Sequence, residues 1–167
     1  MKTIYLTAFI VVLLLLSANK SQSQTNPIQL NQVELMKQFL GTWQTEVGKD
    51  TIQQDEYTAF GSTVVASITN STKGKVFYTV KELWGYDEKT DKIVFAVVTD
   101  KSPNMILNAF WFTSNNNCEG VPYADISAPE KAAMKYKMEI KNSDAWVLKV
   151  LQNNNKVAEM TFKRVKK

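Results

Sequence analysis

The 167 residues contain no histidine and a single cysteine, Cys118, and this closes most routes to chemistry. A Ser-His-Asp triad, a Cys-His pair, a histidine-ligated haem and an HExxH zinc site all require an imidazole. No cofactor or metal is therefore expected. One cysteine cannot form an internal disulfide, whatever the compartment. In the run Asn115-Asn116-Asn117-Cys118-Glu119-Gly120 it reads as a loop residue, either an incidental thiol or an intermolecular partner. Carboxylates, tyrosines and lysines remain for acid–base work. No two carboxylates fall convincingly on one inward face, so the expectation is a protein that is not an enzyme.

The residues best suited to hold a ligand lie on two alternating segments. In 75–85, Val76, Tyr78, Val80, Glu82 and Trp84 share one face, and Phe77, Thr79, Lys81 and Leu83 share the other. Lys81 belongs in water, which turns Glu82 inward among aromatic rings. A carboxylate there must be hydrogen-bonded or paired, and it would orient a polar group of a ligand. A solvated position at the rim is the alternative. In 134–141, Tyr136 and Met138 reach the same interior. Tyrosine offers an apolar ring with a polar tip, and methionine adapts to varied shapes. Plain core packing is the competing role for both.

The elements that position these residues are almost all strands. Leu30, Val33, Met36 and Leu40 recur at helical spacing after Asn26-Pro27, which predicts one short amphipathic helix over 29–39. From Gly41 the chain is dense in Thr, Val, Ile and aromatic residues, with turn residues every ten or so positions. Strands are expected near 42–49, 52–60, 63–70, 75–85, 92–99, 105–114, 132–141, 145–152 and 156–165. The stretch 115–131, holding Gly120, Pro122 and Pro129, reads as a long loop with a helical turn near 128–133. The fold class is therefore all-β: an up-and-down antiparallel barrel of about 8–10 strands behind a short helix. Closure follows because it removes exposed edges.

The N-terminus has the three-part order of a secretory signal. Lys2 is followed by an uncharged run, Ile4 to Leu16, and then by small polar residues through Ser21 and Ser23. The run is shorter than the ~20 apolar residues of a bilayer span. Residues 1–23 are thus expected to be removed, leaving 24–167 as one domain, secreted or periplasmic, with no integral membrane segment. The full chain carries 20 basic and 16 acidic residues; losing Lys2 and Lys20 leaves 18 against 16. Acids and lysines are interleaved, so no nucleic-acid partner is expected.

Phe39-Leu40-Gly41-Thr42-Trp43 resembles the opening signature of the calycins, the lipocalins and fatty-acid-binding proteins, and of related bacterial lipocalin-like domains. In that group a short helix leads into a Gly-x-Trp, and an arginine of the last strand packs over the tryptophan. The resemblance implies a structural pair here, Trp43 and Arg164. Arg164 is the sole arginine among the 20 basic residues. A planar guanidinium can stack on an indole and donate to carbonyls at once, a task lysine does poorly. A surface charge beside Lys163 is the alternative role. The resemblance further implies a non-catalytic protein holding a small hydrophobic or amphipathic molecule, and the alternation of 75–85 and 134–141 makes Tyr78, Glu82, Trp84, Tyr136 and Met138 the expected contacts. A barrel with a filled core, acting on a protein partner through its rim or outer surface, is the alternative. A histidine-free enzyme using carboxylates or tyrosine is the second alternative.

Overall fold

The computed structural model describes residues 30–166. The expected signal, residues 1–23, lies outside them. Among the described residues Asn31 caps the one α-helix, α1 (Gln32–Met36), its side chain accepting from the Glu34 N–H at 3.1 Å. A 3-10 turn over Lys37–Phe39 continues it. The helix is shorter than the expected 29–39 but ends where the period changes. No helix among the described residues is long and apolar enough to cross a membrane.

Ten strands follow: β1 (Gly41–Gly48), β2 (Thr51–Phe60), β3 (Thr63–Thr72), β4 (Lys75–Asp87), β5 (Lys92–Thr99), β6 (Ser102–Phe112), β7 (Asn117–Pro122), β8 (Met134–Asn142), β9 (Ala145–Gln152) and β10 (Asn155–Arg164). Each pairs antiparallel with the next, and β10 returns to β1 through Trp43↔Arg164 and Gln44↔Lys163, closing the barrel. Inward positions follow the period of two. Val64, Ala66 and Ile68 of β3 are buried, as are Phe110 and Phe112 of β6, and Trp146 of β9 faces Phe162 of β10.

The stretch 115–131, expected to be a loop, contains strand β7. Three asparagines, Gly120 and Pro122 are breaker residues, and only Cys118 and Val121 are apolar between them. Pairing on both sides overrides that local signal: Phe110↔Gly120 joins β7 to β6, and Gly120↔Tyr136 joins it to β8. Gly120 is needed where it stands, because a Cβ there would lie 2.9 Å from the Ala109 carbonyl and 3.1 Å from Phe110 Cβ. Pro122 closes the strand, where its missing N–H is tolerated. Cys118 is accordingly a buried strand residue, 1% exposed, and not a loop thiol.

Candidate functional site

The alternating chain direction gives the barrel two unlike ends. α1 and the last turn of β10 occupy one. Gln32 donates to the Phe112 carbonyl at 3.2 Å and accepts from the Phe112 N–H at 2.7 Å, which ties the helix to the end of β6. Phe39 then enters the barrel and meets the rings of Tyr57, Trp84, Phe110, Phe112 and Trp146, with centroids 5.3–6.3 Å away. Trp43 donates its indole N–H to the Phe39 carbonyl at 2.7 Å. The Arg164 guanidinium lies 4.0 Å from the Trp43 ring centre. It donates through Nε to Ser143 O at 2.6 Å and through Nη1 to Leu40 O at 2.7 Å. Gly41 has φ +119° and packs directly under that guanidinium, so any Cβ there would collide with it. The glycine of the Gly-x-Trp motif is thus set by the arginine.

Beyond Phe39 the interior opens. A cavity of about 290 Å³ lies between the plug and the hairpin end of the barrel. Trp84, Phe95, Phe110, Met138, Trp146 and Leu148 form most of its wall. Polar side chains enter from four strands: Gln53, Asp55 and Tyr57 from β2, Glu82 from β4, Asn108 from β6 and Tyr136 from β8. Toward the mouth, Ile106 continues the inward face of Asn108 and Phe110 and is 53% exposed. Among the described residues, no lysine or arginine lines the cavity.

The polar groups are arranged around two carboxyls. Asp55 is 1% exposed. It accepts from Gln53 Nε2 at 2.9 Å and from the Tyr57 hydroxyl at 3.2 Å. Burial raises its pKa to about 6, against the lowering effect of those two donors. Glu82 accepts from the Trp84 indole N–H at 2.7 Å. Burial raises its pKa to about 7, and the Asp55 charge adds to the rise. Tyr57, in register with Glu82 through Ala66, lies between the two acids, and burial followed by their charges pushes its pKa well above the usual value. Tyr136 is raised by burial as well. Both phenols stay neutral, so Asp55 and Glu82 are the groups that change charge near neutral pH.

Two further groups in the wall have unused hydrogen-bonding capacity. Asn108 is 6% exposed, lines the cavity, and its amide has no hydrogen-bond partner among the described residues. The Trp146 indole N–H is buried without a partner among them as well.

Four of the five residues expected to contact a ligand, Glu82, Trp84, Tyr136 and Met138, line this one cavity. Tyr78 does not; it lies nearer the mouth, opposite Asn70. The reading that no two carboxylates share the interior is corrected by Asp55. β2 hides it, since its inward residues are Gln53, Asp55 and Tyr57 while apolar Ile52 and Phe60 face out at 40% and 71% exposure. Hydrophobic alternation therefore points the wrong way on this strand. The available signal was Tyr57, an aromatic residue in phase with Asp55. Burial also pushes the Cys118 thiol far above its usual range, leaving it inert. Comparison with protein-family models and with curated proteins gives no match for this chain.

Proposed function

We propose that the protein is a non-catalytic binding protein of lipocalin-like kind, exported by its N-terminal signal, which holds one small amphipathic molecule in the barrel. The observation that carries this is the cavity: about 290 Å³ of interior walled by aromatic and aliphatic side chains with a few convergent polar groups. That combination characterises small-molecule sites. At roughly 30 Å³ per water-sized volume, the space suits a ligand of on the order of ten non-hydrogen atoms. The lipocalin likeness rests on the helix plug, on Gly41 and Trp43, and on the Arg164 stack.

The test is native mass spectrometry of protein purified from its source, together with titration of an apolar fluorescent probe. A co-purified small molecule and micromolar probe binding are expected. Tyr136→Ala and Met138→Ala should weaken the probe several-fold, while Lys81→Ala, on the outer face, leaves it unchanged. Equal effects from all three would refute an interior site. Recovery of the ligand chemically unaltered separates a binding protein from an enzyme using the carboxyl pair.

One surface feature favours the second reading, a protein-interaction barrel. Leu83, Val98, Met105 and Leu107 lie on β4, β5 and β6 and are 39–61% exposed. Replacing Leu83 and Met105 by serine would abolish partner capture on that reading and leave probe binding intact on the first.

A further inference from the structure

Among the described residues, the carboxyls of Asp55 and Glu82 are the groups lining the cavity that carry charge near neutral pH, and both are acidic. Asp55 and Glu82 each carry a carboxyl into it, and among the described residues no lysine or arginine answers them from the lining. Each carboxyl has some donors, but those donors are neutral: Gln53 and Tyr57 for Asp55, Trp84 for Glu82. A buried charge is ordinarily paired with an opposite charge, and here the described residues do not supply one. Asn108 provides the independent sign that something polar belongs in the space, because this residue, 6% exposed, leaves its amide open to the cavity and makes no side-chain hydrogen bond among the described residues.

Resting on the binding reading above, we propose that the ligand is a cationic amphiphile: an organic amine on an apolar or aromatic body, its ammonium met by the Asp55 and Glu82 carboxylates. The rings of Tyr57, Trp84, Phe95, Phe110 and Trp146 line the same cavity, and aromatic faces attract a cation. The amide oxygen of Asn108 is an acceptor free for a second N–H. A metal ion is a poorer fit. A hard divalent cation takes six or more oxygen ligands, whereas among the described residues no cluster of three or more acidic, cysteine or histidine side chains forms. A fatty acid is poorer still, since its carboxylate would enter a site that already holds two acids and no base.

The groups facing the proposed ammonium are few. Asp55 and Tyr57 come from β2, Glu82 from β4 and Tyr136 from β8, and the remaining strands contribute no titratable side chain to the lining. Both tyrosines remain neutral. An alkylamine, like lysine with its pKa of about 10.4, stays protonated from pH 5 to 8. Any change in amine affinity over that range therefore belongs to Asp55 and Glu82, whose raised pKa values, about 6 and about 7, fall inside it.

Three probes with the same apolar body decide the matter: 3-phenylpropylamine, 3-phenylpropanol and 3-phenylpropanoate. Binding is followed by calorimetry and by the fluorescence of Trp84 and Trp146. At pH 8 the amine should bind at least tenfold tighter than the alcohol, and the carboxylate weakest of the three. The amine advantage should shrink to about threefold or less at pH 5, and also in Asp55→Asn/Glu82→Gln at pH 8, while the alcohol changes little. The wild-type pH series stands even if that variant fails to fold. Equal binding of amine and alcohol at pH 8, or a preference for the carboxylate, overturns the cationic ligand and leaves the binding reading intact. Failure of all three probes overturns both.

Discussion

The two halves of the barrel interior are built from similar residues and satisfy them differently. At the plugged end the polar groups of the helix, the motif tryptophan and the arginine have partners: Trp43 N–H on the Phe39 carbonyl, Gln32 on both backbone groups of Phe112, Arg164 on two carbonyls and one indole face. The exception beside them is the Trp146 indole N–H, which has no partner among the described residues. In the cavity half, the Asp55 and Glu82 carboxyls face no basic side chain among the described residues, and the Asn108 amide makes no side-chain hydrogen bond among them. Aromatic rings fill the first half and only wall the second. Stability is concentrated where contacts are complete. The capacity to bind is concentrated where they are left open, in keeping with the view that proteins break packing rules chiefly at functional sites.

Removing the ring that joins the halves should have the largest effect. Phe39 touches five aromatic side chains, so Phe39→Ala should destabilise the fold by about 3–5 kcal/mol, as large aromatic truncations in cores do. Urea unfolding measures it. A loss below about 1 kcal/mol would mean that the plug is not the stabilising half.

The cavity half should reveal itself through pH. Asp55 rises from 3.8 to about 6 and Glu82 from 4.5 to about 7 on folding, so between about pH 4 and 7 the folded state binds more protons than the unfolded one. Stability must then fall as pH rises through that window and level off near pH 8. Taken together and allowing for their coupling, the two should remove about 2–4 kcal/mol between pH 5 and pH 8. Asp55→Asn/Glu82→Gln should flatten the profile and be the more stable protein at pH 8. A wild-type profile that rises from pH 5 to 8 would show that these carboxyls are not buried as described.

How far this division was legible in the sequence follows from its physics. The plug is written locally: Gly41 and Trp43 are two residues apart, and a lone arginine in a chain of lysines marks a site that needs a planar guanidinium. Ten-strand closure was legible from alternation and turns, apart from β7, whose glycine, proline and asparagines conceal a strand held by its neighbours. Glu82 and Trp84 could be placed inward because Lys81 fixes the phase of β4. Asp55 could not, because β2 carries its apolar ends on the outer face, and only pairing with β3 sets which side of it looks in.

The smallest expected effect sharpens the plugged end most. Arg164→Lys keeps the charge and loses the flat, five-donor fork. Lysine could reach the Leu40 or the Ser143 carbonyl, but its ammonium cannot donate to both in the fixed geometry of a guanidinium while lying on Trp43. The expected loss is on the order of 1–2 kcal/mol, from a weakened cation–π contact and one hydrogen bond unmade. The nearby ion pair with Asp144, at 4.0 Å, survives the swap in charge, so it does not account for that loss. Trp43→Phe retains a ring but a weaker face, and it also removes the N–H that holds the Phe39 carbonyl. Measured by chemical denaturation, the double variant should be less destabilised than the sum of the singles by about 0.5 kcal/mol or more, as for residues in contact. Strict additivity would separate Arg164 from Trp43, and the plug would then be held by its helix and its rings alone.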